Sequence, residues 1–294
     1  MDLAFILQQL INGLSRGAVY ALIAVGFALI FTVLKFSNFA HGGLISICAF
    51  AGYYFSGVLM LNPFISVALT AVVGAAMGVF LDCIAFRNLR KRKSPHLFYF
   101  VSSITAGILF ENVLTVLFGT TFYSIPPFFK NATFNIGSTI IVKTDVTIFV
   151  VCAVALTLLM LIIKKTKLGL SVRMISMDED TAKLMGVNSD QSIIVTFMLA
   201  GALGGMAGIF LGVNFTVDPF IGDMVVKGFV ASVIGGLGSL EGACAAALLL
   251  GIVEVILTTM FGDVITPAIV FAVTLLFLLV RPQGISGKLI QEKA

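Results

Sequence analysis

The chain has 294 residues, a net charge of +4 and a mean hydropathy of +1.12; 59% of its residues are hydrophobic and 11% are charged. A soluble domain carries about 25% charged residues, so this composition excludes an ordinary soluble protein. The basic residues concentrate in the segment RNLRKRK (87–93), the loop 164–190 and the tail after residue 280. This segregation is not typical of a nucleic-acid-binding face, and we expect no nucleic-acid partner.

Long apolar runs recur along the whole chain, and each approaches or exceeds the roughly 20 residues that cross about 30 Å of hydrocarbon. They predict an all-α, polytopic transmembrane helical bundle that forms a single domain over residues 1–294. The segment Met224–Leu240 must cross as well or insert partially, so we expect about nine spans, with eight or ten as alternatives. The runs are Ala18–Leu34, Leu44–Leu61, Phe64–Phe86, Leu97–Phe118, Val146–Ile163, Ile193–Val213, Ala243–Met260 and Val264–Val280.

The charge distribution predicts the orientation of the bundle. Basic loops lie on the cytoplasmic side of a membrane protein, which places 87–93, 164–190 and the C-terminus inside. Nine crossings then leave the N-terminus outside.

The first two apolar runs are separated by the polar segment FSNFAHGG (36–43), which contains Asn38, His41 and Gly42. Irregular backbone at membrane depth must be buried in protein or line a wet cavity, because lipid cannot satisfy its polar groups. The residue types favour a polar turn, and a lining of the transport pathway is the alternative.

Three carboxylates fall inside the apolar runs, namely Asp82, Glu111 and Glu254. Such groups are functional candidates because they are costly in lipid. We expect Asp82 to reach water at the inner end of its span. Glu111 with its neighbour Asn112 is the best candidate for an internal polar contact, whether to another helix or to a solute.

The loop 164–190 must lie in water, and the segment Asp178–Gly186 within it predicts a short amphipathic helix. Acidic residues at its start suit the helix dipole, and a glycine at its end is a typical stop. This helix is either a solvated loop helix or a docking helix for a partner. The residues concerned are Asp178, Glu179, Asp180, Ala182, Lys183, Leu184 and Gly186.

The segment SVIGGLGSLEG (232–242) predicts a helix break with close backbone approach at Gly235, Gly236 and Gly238. Breaks of this kind often accompany transport pathways. The segment is not a phosphate-binding loop, because the G-x-x-x-x-G-K-[ST] pattern is absent. His41 and His96 are the chain's two histidines, so we expect no metal site, and no catalytic motif is present.

Four segments, in the same order along nearly the whole chain, carry a family resemblance: 13–43, GLSVRMISMDEDTAKLMGVNSDQ (169–191), 233–254 and RPQGISGK (281–288). They resemble the permease subunits of bacterial branched-chain amino acid ABC importers, specifically the smaller of the two paralogous permeases. The resemblance implies that 169–191 carries the helix that couples the permease to an ATPase. Asp180-Thr181-Ala182 followed by Gly186 is similar to the EAA-x-x-x-G signature, with Asp and Thr in place of Glu and the first Ala.

The resemblance also implies a set of partners in the bacterial plasma membrane: a paralogous second permease, two cytoplasmic ATPases and an extracytoplasmic solute-binding protein. ATP and magnesium would bind to the ATPases, and no cofactor is expected on this chain, which would be a transport subunit without enzymatic activity. Relatives of this architecture also handle urea, amides or nucleosides, and these substrates remain alternatives. From the residues alone, an ion-coupled secondary transporter is the alternative of a different class.

Overall fold

The computed structural model describes residues 3–129, 133–136 and 139–286. The helices are α1 (Leu3–Leu34), α2 (Ala40–Tyr53), α3 (Pro63–Leu81), α4 (Arg87–Lys91), α5 (His96–Phe118), α6 (Lys143–Lys165), α7 (Lys167–Met177), α8 (Glu179–Leu184), α9 (Ser189–Asn214), α10 (Val225–Gly235), α11 (Leu240–Phe261) and α12 (Thr266–Val280). Two π-helical segments, Tyr54–Val58 and Asp82–Phe86, extend α2 and connect α3 to α4, and a 3₁₀ turn at Ile221–Met224 precedes α10. The predicted helical fold class is confirmed.

A short antiparallel hairpin was not anticipated. Strands β1 (Thr133–Ile136) and β2 (Thr139–Val142) pair with Thr133 opposite Val142. The hairpin lies in the segment between α5 and α6.

Six helical segments are long and apolar enough to cross a membrane: Phe5–Leu34, Pro63–Lys91, His96–Phe118, Lys143–Lys165, Ser189–Asn214 and Leu240–Phe261. Helix length alone therefore accounts for fewer spans than the nine expected. The remaining apolar runs form shorter helices, with 14 residues in α2, 15 in α12 and 11 in α10. Helix α10 is about 16 Å long at 1.5 Å per residue, which fits the partial insertion allowed for Met224–Leu240.

The described residues divide into two compact units. The first unit comprises the described parts of Met1–Ala28, Phe129–Cys152 and Val226–Ala294, and the second those of Leu29–Phe128 and Ala153–Val225. Helices α1 and α6 contribute residues to both units.

Glycines bring helices together inside each unit. In the second unit, α3 packs along α9, and a Cβ at Gly74 would collide with the carbonyl oxygen of Gly201. In the first unit, a Cβ at Gly13 would come within 2.8 Å of the Cα of Ile252 on α11. Small residues allow such close backbone approach, where van der Waals packing drives helix association in lipid.

Candidate functional site

The predicted amphipathic helix is present as α8, and its local sequence explains its start. The Asp178 carboxylate accepts hydrogen bonds from the amides of Asp180 (3.0 Å) and Thr181 (3.3 Å) and from the Thr181 hydroxyl (2.6 Å). These hydrogen bonds to the charged form hold the pKa of Asp178 below its usual value of 3.8. The cap is therefore fully charged at neutral pH and satisfies amides at the helix start.

The end of α8 is equally well defined. Gly186 has φ +86°, a left-handed conformation that glycine adopts without steric cost. One turn earlier, the Lys183 ammonium lies 2.8 Å from the Glu179 carboxylate and 3.8 Å from that of Asp180. These carboxylates, Glu179 foremost, raise the pKa of Lys183.

The apolar residues of this segment point in two directions. Ala182 is buried against its own unit, whereas Leu184 is 88% exposed and Met185 72% exposed. Met177, just before the cap, is 89% exposed. The apolar residues of the helix therefore do not share one side. Ala182 anchors the helix to its unit, whereas the long side chains of Leu184 and Met185 face outward.

Beside α8, the second unit contains a polar cavity of about 740 Å³. Basic residues in and after α4, with one tyrosine of α5, line one part of it, and α8 with the segment that leads into α9 lines another. The lining residues are Arg90, Lys91, Lys93 and Tyr99, together with Glu179, Asp180, Lys183 and residues 186–190. The basic segment 87–93 and the loop 164–190 are thus brought together, as expected if both lie on one side of the membrane.

Arg90 links three elements at this cavity. Its guanidinium donates to both carboxylate oxygens of Asp82, at 2.9 and 3.3 Å, and its Nε donates to Asp190 at 3.1 Å. Asp82 is fully buried, so the expectation that it reaches water is wrong. Arg90 takes the place of water because the π-helical turn and α4 carry it back over the Asp82 carboxylate.

The polar segment between α1 and α2 is buried in the second unit rather than solvated. Within the described chain, the side-chain nitrogen and oxygen atoms of Asn38 and both ring nitrogens of His41 have no hydrogen-bond partner. A Cβ at Gly42 would lie 2.8 Å from the Gly222 carbonyl oxygen, and the amide of Gly222 donates to the Ser46 hydroxyl. Gly42 is thus explained by packing, while the roles of Asn38 and His41 in a pathway stay a prediction.

Among the described residues, neither the Glu111 nor the Asn112 side chain makes a hydrogen bond to another helix. The Asn112 amide nitrogen donates to the Ile108 carbonyl oxygen within α5, at 2.8 Å, and its side chain is exposed. Glu111 is half-buried.

The predicted glycine break is confirmed between α10 and α11. Gly236 and Gly238 have φ of +102° and +89°, and the Ser239 hydroxyl accepts from the Gly242 amide to start α11. A Cβ at Gly235 would collide with the backbone of Gly242. The C-terminal turn pairs with the same break, since the amide of Ile285 donates to Ile234 and that of Ser286 donates to Gly235.

An ionic cluster in the first unit was only partly predicted. The Lys227 ammonium lies 2.6 Å from Glu254 Oε1 and 3.2 Å from the Tyr20 hydroxyl, and this hydroxyl donates to the same Oε1 at 3.1 Å. Glu254 is buried, and its Oε2 has no partner in the described chain. Lys227 was not identified as a candidate from the sequence, because it lies near the start of an apolar run. The available signal was that it is a lone lysine beside such a run.

The long apolar helices, the half-length helix α10 and the exposed helix α8 together define a class of protein. They are typical of a transport subunit that crosses the membrane several times. A family model described as "Branched-chain amino acid transport system / permease component" matches residues 9–280. The chain belongs to this family of permeases. The importer permease role is therefore established for it, in the inner membrane.

Curated relatives match over nearly the whole chain. The high-affinity branched-chain amino acid transport system permease protein LivH of Escherichia coli strain K12 is 32% identical and covers 98% of each chain. BraD of Pseudomonas aeruginosa is 32% identical and covers 98% of this chain and 97% of its own. A nucleoside ABC transporter permease, NupB of Lactococcus lactis, is more distant and covers 49% of this chain and 37% of its own.

Proposed function

We propose that this chain forms part of the pathway by which leucine, isoleucine and valine enter the cell in an ATP-driven importer. The observation that carries the proposal is identity of about 32% over 98% of the chain with permeases named for branched-chain amino acid transport. The nucleoside permease matches only half of the chain, so nucleosides rank lower as substrates.

The proposed assembly contains a paralogous second permease, two cytoplasmic ATPases and an extracytoplasmic solute-binding protein. Permeases of ABC importers work with ATPase and permease components, and the exact composition is part of our proposal. ATP and magnesium bind to the ATPases, and this chain hydrolyses nothing. It switches between outward-facing and inward-facing conformations, which is alternating access.

Helix α8 is the proposed contact with the ATPase. Its cap and its glycine stop are satisfied within the chain, whereas Leu184 and Met185 are exposed in water, where apolar side chains gain by docking. The short loops around it connect to α7 and α9, so a movement of α8 is transmitted to a membrane-spanning helix.

We place the basic loops and the C-terminus in the cytoplasm and the N-terminus outside. Lys288 and Lys293, which support this orientation, lie outside the described residues. Reporter fusions at the N-terminus test it: alkaline phosphatase should be active there. An active cytoplasmic reporter at that position would instead mean an even number of crossings, with α10 re-entering the membrane.

Uptake by the reconstituted transporter tests the substrate and the energy source together. Proteoliposomes with the complete complex, ATP inside and the binding protein outside should accumulate labelled leucine, and not labelled uridine or urea. Accumulation of uridine without leucine would refute the proposed substrate. Leucine uptake by this chain alone, driven by an ion gradient, would refute the ATP-driven mechanism.

A further inference from the structure

Two members of the cluster, Tyr20 and Glu254, lie inside the long helices α1 and α11, and the third, Lys227, lies near the start of α10. Tyr20 is 17 residues from the start of α1 and 14 from its end, which puts about 26 Å of helix before it and about 21 Å after it at 1.5 Å per residue. Glu254 is 14 residues into α11 and 7 from its end. Lys227 is at the start of α10, the half-length helix of the same unit.

Substrate sites of membrane transporters commonly lie at this depth and are built with interrupted helices. A charge inside the membrane is costly and is a functional candidate by default. Here the Lys227 ammonium and the Glu254 carboxylate form an ion pair, so each charge has an opposite charge beside it.

The hydrogen bonds of the cluster are distributed unequally. Glu254 Oε1 accepts from both Lys227 and Tyr20, at 2.6 and 3.1 Å. Glu254 Oε2 is buried and has no partner in the described chain. A buried carboxylate oxygen without a donor is a vacant site for a cation that brings N–H groups.

We propose that Lys227 and Glu254 bind the zwitterionic head group of an α-amino acid during its passage. The ammonium of the solute donates to Glu254 through Oε2, and its carboxylate replaces Glu254 as the partner of Lys227. The exchange conserves charge, because one internal ion pair becomes two pairs with a solute that has one charge of each sign.

This assignment deepens the proposed function and rests on it. It gives the permease its own selectivity for zwitterions, independent of the binding protein. Uncharged solutes such as nucleosides, urea or amides cannot separate the ion pair between Lys227 and Glu254. Separation without a charged solute would leave both ions buried without an opposite charge.

The native transporter provides the first test. Binding of labelled leucine is measured on the complete detergent-purified complex without the binding protein. Two analogues compete with it: isoamylamine lacks the carboxylate, and 4-methylpentanoate lacks the ammonium. Each analogue should compete at least about tenfold more weakly than leucine, because each loses a charge-assisted hydrogen bond. Equal competition by either analogue, or no saturable leucine binding, overturns the assignment.

Variants locate the binding in this chain. The double variant Lys227→Met/Glu254→Met removes both charges together, which buried pairs tolerate better than the loss of one partner. It should assemble with its partner subunits, yet bind leucine at least about tenfold more weakly. The control is Ser15→Ala/Asp145→Asn, which removes another polar contact of the same unit, at 3.2 Å, and should bind leucine normally.

Normal leucine binding in the double methionine variant overturns the assignment and leaves the proposed function intact. If that variant does not assemble, equal competition by either analogue on the native complex still overturns the assignment. A native complex that imports uridine and not leucine would instead refute the proposed function itself.

Discussion

Single residues fix the two ends of α8, and both ends could be predicted from the sequence. Asp178 was recognisable because an acidic residue at a helix start is a local signal, and Gly186 because a glycine after a short amphipathic run is another. Their partners are within three residues of them. Contacts between residues so close in sequence depend on the geometry of a helix end, which is the same in every protein.

Replacing Gly186 by alanine should weaken coupling. A left-handed conformation costs a residue with a Cβ about 1–2 kcal/mol, and no atom lies within 4 Å to add a clash. We expect leucine uptake to fall while the ATPase activity of the complex persists.

Gly262 offers the matched control for this change. It has φ +80° and the same open surroundings, but it follows α11. Gly262→Ala should carry the same strain and leave the ratio of uptake to ATP hydrolysis unchanged; an equal loss of coupling in both variants would contradict the role of α8.

Arg90 shows a residue-scale contact that the sequence did not reveal. Asp82 and Arg90 are eight residues apart, but a π-helical segment lies between them and alters the helical register. We placed Asp82 in a span and Arg90 in a solvated basic cluster, so the pair was not expected.

Arg90→Gln should destabilise the protein strongly. It leaves Asp82 buried without its partner, which typically costs 3–5 kcal/mol. The variant Arg90→Gln/Asp82→Asn should recover much of the loss, and Asp190→Asn should have an effect below about 1 kcal/mol, because Asp190 is 47% exposed. Thermal unfolding of the purified complex measures all three.

Elements determine what the chain presents to partners. The existence of α8 and of the break between α10 and α11 followed from charge and glycine patterns. The direction of Leu184 could not be predicted, because it depends on how Ala182 anchors α8 to its unit. The pairing of Lys227 with Glu254 was equally hidden, since it depends on how the chain reverses between two helices.

Leu184→Ser tests whether the exposed side of α8 is a contact surface. The change costs this chain little, because Leu184 packs on almost nothing in it. At a docking surface, loss of a central apolar contact costs about 1–2 kcal/mol, and the affinity of the permease for the ATPase should fall about tenfold. Met60→Ser is the control, since Met60 is 84% exposed in the α2–α3 connection and should leave co-purification of the ATPase unchanged.

At the scale of the whole molecule, glycine contacts hold the helices together. The composition predicted a helical bundle, but it could not show which helices pack against each other. The apolar runs identified most spans, but they could not show that α10 ends after 11 residues or that the chain forms two units. Those features depend on contacts between segments far apart in sequence.

Gly201→Ala should disturb the second unit as a whole. Its Cβ would collide with the Gly74 carbonyl oxygen and lie 3.1 Å from the Gly78 Cα, and overpacking costs typically 1–3 kcal/mol. Gly107→Ala is the control, because its nearest neighbours lie at 3.4 and 3.5 Å. Unfolding temperatures should fall for the first variant only.

The first unit is built from both ends of the chain, and this has a consequence for biogenesis. The glycine face of α1 meets α11 at Gly251 and Ile252. At 5–20 residues per second, the ribosome needs about 11 to 45 s after the end of α1 to complete α11. During this interval the face of α1 at Gly13 and Gly17 lies in the bilayer without the helix on which it packs. A stalled nascent chain that ends before Leu240 would thus be marked for membrane proteolysis.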